Sequence, residues 1–208
     1  MVFNDNDRVL FQGDSITDWG RSRTDDNNLG GGYAAACAAW ISAAYPARKI
    51  TFLNRGISGN RACDLKARWQ ADCIDLKPNW VSILIGINDT WRAFDSNSPT
   101  TAEAYEVDYR AILTDARAKL SAKFILCEPF VLPCPADREK WRLDLDAKIN
   151  AARKLAREFG AIFVPFDGLF AAAATQREPA FWAGDGVHPS PAGNALMTQA
   201  WLRAVGAL

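Results

Sequence analysis

Five short apolar runs, each separated from the next by a longer stretch of helical period, leave this chain few ways to fold. Arg8–Gln12 (RVLFQ), Ile50–Asn54 (ITFLN), Trp80–Gly86 (WVSILIG), Lys123–Cys127 (KFILC) and Ala161–Phe166 (AIFVPF) have the length and the β-branched and aromatic content of strands buried on both faces. Between them Tyr33–Ala44, Ala62–Ile74, Thr101–Leu120 and Asp137–Phe159 read as helices. In the last of these Leu145, Ile149, Ala152, Leu155, Ala156 and Phe159 keep to one stripe, and Gly160 stops it as a C′ glycine does. A final helix starts at Pro191 behind Ser190, its expected cap. Alternating β and α with connections of this length predicts an α/β fold in which helices cover both faces of a five-stranded parallel sheet.

No repeat, linker or low-complexity tract interrupts the pattern, so residues 1–208 are expected to form one domain. Lys and Arg together number 24, as do Asp and Glu, and no basic run could neutralise a row of phosphates, which argues against a nucleic-acid partner. No apolar stretch is long enough for a membrane span or a signal peptide. The five cysteines are odd in number and form no C-x-x-C pair, which fits reduced thiols and a cytoplasmic location better than a disulfide framework or a zinc site.

In a sheet of this kind ligands sit outside the carboxyl ends of the strands. Four segments should therefore share one crevice: Gly13–Asp18 (GDSITD), Arg55–Arg61 (RGISGNR), Gly86–Arg92 (GINDTWR) and Gly184–Pro189 (GDGVHP). The last contains the single histidine, His188. Asp185 stands three residues before it, near enough in one turn to accept a hydrogen bond from Nδ1–H and leave Nε2 free as a base. Ser15 follows the first strand directly, where a hydroxyl nucleophile can be exposed at a strand-to-helix turn. Ser58 is a rival nucleophile, demoted because Asn60 breaks the G-x-S-x-G elbow. A tetrahedral intermediate needs donors aimed at its oxygen, and the candidates are the Ser15 and Gly59 backbone N–H groups and the Asn88 amide. Taken singly, each has a bland alternative: a turn for Ser15, an Asx-turn for Asn88, a core or surface position for His188.

Gly13-Asp14-Ser15, the glycine of Asn54–Gly59, Gly86–Asp89 and Asp185–His188 resemble, in order and over nearly the whole chain, the four sequence blocks of the SGNH (GDSL-type) esterases and lipases. The resemblance implies Ser15 as nucleophile, His188 as general base, Asp185 as its orienting carboxylate, Gly59 and Asn88 as oxyanion-hole partners, and a flavodoxin-like sheet. Leu29–Tyr33 (LGGGY), Asp64–Trp69 (DLKARW), Pro78–Asp89 and Trp91-Arg92 extend it to the intracellular bacterial GDSL acetylxylan esterases, which deacetylate xylo-oligosaccharides. Those relatives tend to carry Trp immediately before the triad Asp; here Gly184 stands there and Trp182 lies two residues earlier.

The expected reaction is hydrolysis of a small acyl ester, acetate on a saccharide, through an acyl-enzyme that needs no metal or organic cofactor. The four loops are rich in Gly, Asn, Asp and Arg rather than apolar, which suits a short pocket with a polar mouth. Tyr33, Trp91, Arg92 and Trp182 are candidates for contact with the sugar, Asp14 joins them at the mouth of the site, and Asp14 and Asp89 are also candidates for fixing loops. The alternatives are a lysophospholipase or acyl-thioesterase on the same scaffold, and a non-catalytic carbohydrate-binding module. A homo-oligomer is compatible with the relatives, and the Ala171–Ala183 segment and the last helix are candidate interface surfaces.

Overall fold

A computed structural model describes residues 1–208. Five parallel strands, β1 (Arg8–Gly13), β2 (Thr51–Asn54), β3 (Trp80–Leu84), β4 (Lys123–Cys127) and β5 (Ile162–Val164), lie in the order β2-β1-β3-β4-β5. Burial on both faces, expected of all five strands, holds along the central strands but not for the edge strands β2 and β5, where Thr51 is exposed and Phe52, Ile162 and Phe163 are half-buried. Every residue of β3 is buried, and along β1 Val9 and Phe11 face one helical layer while Leu10 faces the other. Register runs Val9↔Trp80 to Gly13↔Leu84 between β1 and β3, which places the ends of these two strands side by side. The order reverses direction at β1, so the crevice beyond β1 and β3 is the switch point at which such sheets bind ligands.

On one face the core gathers Phe3, Phe11, Tyr33, Phe166 and Trp201; on the other, Leu65, Tyr105, Leu113, Phe124 and Leu155. The layers are built from α1 (Ser15–Asp18), α2 (Tyr33–Ala44), α3 (Ala62–Ala67), α4 (Ile87–Asp95), α5 (Ala102–Leu120), α6 (Arg142–Glu158), α7 (Phe166–Ala174), α8 (Pro179–Trp182) and α9 (Pro191–Ala204). Ser190 does cap α9, its Oγ accepting from Gly193 N at 3.2 Å, and Gly160 follows α6 in the left-handed region at φ 56°. The indole Nε1 of buried Trp201 donates to Ser82 Oγ of β3 at 3.0 Å, which satisfies a polar atom inside the core and ties α9 to the central strand. No helix is long and apolar enough to cross a membrane.

The expected helices Ala62–Ile74 and Asp137–Phe159 are each divided. A π-helical turn (Gln70–Ile74) follows α3, and a 3₁₀ segment (Ala136–Trp141) precedes α6. The helices α1, α4, α7 and α8 have no counterpart in the sequence reading. The most consequential is α4, because Gly86–Asp89 is not a turn at the sheet edge but the first turn of a helix, with Asn88 and Asp89 buried inside it.

Candidate active site

Ser15 is the first residue of α1, so its N–H belongs to the turn of a helix that has no intrahelical acceptor. Asp14 is the cap: its Oδ1 accepts from Ile16 N at 3.0 Å. The hydroxyl of Ser15 donates to His188 Nε2 at 2.8 Å across 173 residues of sequence. Behind the imidazole, Nδ1–H donates to Asp185 Oδ2 at 2.6 Å, and the other carboxylate oxygen accepts from the backbone N–H of His188 at 2.7 Å and of Val187 at 3.0 Å. Burial alone would push the Asp185 carboxyl up, but the hydrogen bonds from His188 and Val187 hold it well below the usual carboxylate range. The hydrogen bond to Asp185 raises His188 above the ordinary imidazole value, against its own desolvation.

The second side of the site is the Asn54–Asn60 loop. Gly56 has no room for a side chain, since a Cβ there would lie 2.4 Å from Asp18 N; its absence lets the loop rest on the backbone of α1. Gly59 adopts φ +83°, which turns the chain over the crevice. Asp18, at the end of α1, is buried, and its Oδ2 accepts from Ser58 N (3.0 Å), Ser58 Oγ (2.8 Å) and Arg23 Nη2 (2.7 Å). Arg21 and Arg23 both donate to Gly56 O, at 2.8 and 3.0 Å. Ser58 is thus a tether of the loop rather than a partner of the histidine. From α4, Asn88 Nδ2 donates to Asn60 O at 3.1 Å, and Asp89 Oδ2 accepts from Ala62 N at 3.1 Å, fixing α4 to the start of α3.

Around the imidazole stand two indoles, Trp91 with its ring centroid 6.0 Å from that of His188 and Trp19 at 6.4 Å. Trp91 was expected. Trp19 was not, because α1 is a single turn whose periodicity cannot be read; Trp19 closes that turn in the left-handed region (φ 38°), its N–H donating to Ser15 O, and its side chain lies against Gly31 and Gly32. The guanidinium of Arg92 passes over Gly59, with Nη2 3.2 Å from where a Cβ would stand. Arg138, also missed, donates from Nε to Asp185 O at 3.3 Å and lies 5.3 Å from the centre of the Trp91 ring.

Two expected substrate contacts are corrected. Tyr33 is wholly buried, edge-on to Phe11 and Phe166, with its hydroxyl 3.3 Å from Thr17 Oγ1, so it is a core residue. Asp14 is also fully buried, with Oδ1 turned to the first turn of α1; desolvation pushes its carboxyl up to about 7. Trp182 is half-buried, packed against the core beside Phe181 with its Nε1 buried, and the rings beside His188 are Trp19 and Trp91. The sequence reading placed these residues near the right loops but could not say which way their side chains point.

The GDSL-like Lipase/Acylhydrolase family matches residues 11–196 of the chain. The chain belongs to this family. Among curated proteins it is 36% identical to the acetylxylan esterase of Geobacillus stearothermophilus, covering 99% of this chain and 97% of that protein. The crystal structure of that esterase, Axe2, superposes with a TM-score of 0.92. A structure described as a GDSL-like lipase from Parabacteroides merdae superposes with a TM-score of 0.95 at 39% identity, covering 100% of this chain and 99% of that one. Axe2 has been crystallised as catalytic mutants at one serine, one aspartate and one histidine, the last two spaced three residues apart as Asp185 and His188 are. A five-stranded α/β fold and the chemistry of a carboxylic-ester hydrolase, both expected from the sequence, follow from this membership.

Proposed function

We propose that this family member is an acetylesterase acting on acetylated saccharides, xylo-oligosaccharides foremost, with Ser15, His188 and Asp185 as its triad. The observation that carries the reading is the unbroken line from Ser15 Oγ through His188 to Asp185, at 2.8 and 2.6 Å. Ser15 Oγ attacks the ester carbonyl as His188 Nε2 takes its proton. The oxyanion is met by the N–H groups of Ser15 and Gly59 and by the Asn88 amide. His188 then passes the proton to the departing sugar oxygen; a water deprotonated by the same nitrogen attacks the acyl-serine, the Oγ–acyl bond breaks, and His188 returns the proton to Ser15 Oγ as acetic acid leaves.

A small acyl group is supported by where space lies. A cavity of about 940 Å³ between α2 and α9 touches the crevice only at Trp19 and has neither Ser15 nor His188 in its wall. The sugar is supported by the half-exposed Trp91 and Arg92 beside His188 and Gly59, and by similarity to an acetylxylan esterase over the whole chain. The free state of all five cysteines supports a cytoplasmic location.

The test is acetate release from acetylated xylo-oligosaccharides, pectin fragments and chitin fragments, together with an acyl series on an aryl ester. The expected outcome is release from the xylo-oligosaccharides, with kcat/KM falling steeply from acetyl to octanoyl and with Ser15→Ala about 10⁴-fold down or more. A flat or rising acyl profile overturns the acetyl assignment. A Ser15→Ala enzyme keeping more than a few per cent of its activity overturns the nucleophile.

A further inference from the structure

Six large apolar side chains are exposed on the surface: Val2, Trp40, Phe94, Val107, Leu143 and Leu208. Only Phe94 is joined to the catalytic histidine by continuous ring contacts. Its ring stacks on Trp141 at 5.3 Å with an interplanar angle of 17°, Trp141 meets Trp91 at 5.1 Å, and Trp91 meets His188 at 6.0 Å. Trp141 is 2% exposed, packed against Phe94 and with the Arg138 guanidinium 4.2 Å from its ring centre. Phe94 is 47% exposed, so it is fixed in orientation from below while one side stays open to solvent.

The same helix carries Asn88, Trp91, Arg92 and Phe94, so the exposed ring is rigidly placed relative to the oxyanion side of the site. Arg92 is tethered through Nη1 to Asp95 Oδ2 at 2.6 Å, which keeps a charged donor along the edge of this row. An ordered, half-exposed phenyl adds little to folding, because much of its apolar area stays in water. What it offers is a flat apolar face with hydrogen-bond donors at its rim. A pyranose is the matching shape, with C–H bonds on its faces and hydroxyls around its edge.

We propose that Phe94 is a stacking platform for a sugar residue beyond the one that bears the ester, so that the site takes acetylated oligosaccharides in preference to acetylated monosaccharides. This rests on the saccharide reading above and adds to it a subsite and a preferred chain length. The experiment measures acetate release from chemically acetylated xylose, xylobiose and xylotriose, with active enzyme counted by organophosphonate titration of Ser15. For the wild type kcat/KM should rise with chain length. Phe94→Ala should remove about three- to tenfold of that rise, through KM rather than kcat, and Phe94→Tyr should restore it. A wild-type profile that does not rise with length, or a Phe94→Ala loss spread equally over all three sugars, overturns the subsite while leaving the esterase reading intact. No acetate from any saccharide, with aryl acetates still hydrolysed, overturns the saccharide reading itself.

Discussion

The two sides of the active site are built in opposite ways. The side chains of Asp185 and His188 are held to one another by hydrogen bonds within four consecutive residues and are 41% and 36% exposed, while Leu132 N and Arg138 Nε tie only the backbone of their turn. The oxyanion side is held by bonds between segments far apart in sequence: Asp18 to Ser58, Arg21 and Arg23 to Gly56, Asn88 to Asn60, Asp89 to Ala62. Its working groups are buried, Asn88 at 5% and Asp18 at 3% exposure. In the proposed mechanism the imidazole exchanges protons with a leaving group and with water, and a local turn at the surface allows that. The proposed oxyanion donors should not relax as charge develops, and their geometry is set by the fold as a whole.

The largest effect should come from the local side. Asp185→Asn keeps the shape of the turn but loses the carboxylate that accepts from Nδ1–H, and kcat should fall on the order of 10⁴-fold. The pH profile gives an independent readout. His188 acts as a base only when neutral, and Asp185 raises its pKa, so the wild-type kcat/KM should rise with pH along a limb lying above the ordinary imidazole range. In the variant that limb should move to lower pH. A limb that stays where it was would mean that a group other than His188 governs it.

A middle-sized effect should come from the long-range side. Asp18 touches no reacting atom, yet it joins the nucleophile's helix to the residue before Gly59. Asp18→Ala should lower kcat about tenfold at little cost in KM and leave the His188-governed limb in place, since loosened donors weaken transition-state binding without changing the base. Ser58→Ala should do less, and the double variant should fall short of the product of the two, because both act through one contact. A loss in KM alone would assign Asp18 to substrate binding instead.

The same division explains what could be read from the sequence. The Asp185–His188 pair was legible because its geometry is local: a carboxylate three residues before an imidazole needs only a turn. All five strands were legible too, since runs such as KFILC have no other use than burial on both faces. The ties made by Asp18, Arg21 and Arg23 were not, because nothing near Asp18 in the chain announces a partner 40 residues away. Helix α4 was hidden for a related reason. Its first turn, Gly86–Asp89, is polar and glycine-led like a surface turn, and it is helical because Asp89 is satisfied by Ala62 N and Asn88 by Asn60 O. Asp14 was assigned to the crevice from loop membership and Tyr33 from its place at the end of Leu29–Tyr33, and tertiary packing points both inward.

The smallest effect on rate, and the sharpest test of why the oxyanion side is buried, should come from Asp14. One of its oxygens caps α1, the other is buried without a partner, and desolvation lifts its carboxyl to about 7, an effect opposed by the Ile16 N–H and by His188. A folded-state pKa above the unfolded value of 3.8 means that the unfolded chain gives up this proton first. The group therefore costs nothing below about pH 4 and weighs increasingly against the fold as pH rises toward 7. Asp14→Asn keeps an oxygen for the cap and removes the charge. Its stability relative to the wild type should improve between pH 4 and 8, by an amount on the order of a few kcal/mol at most, while kcat changes less than about threefold. The His188 limb should move slightly to lower pH, since the Asp14 charge is the least of the influences that raise it. Parallel stability curves for the two proteins across that range would show that Asp14 is ionised at little cost. The buried side of the site would then owe its rigidity to hydrogen bonds alone, not to the exclusion of charge.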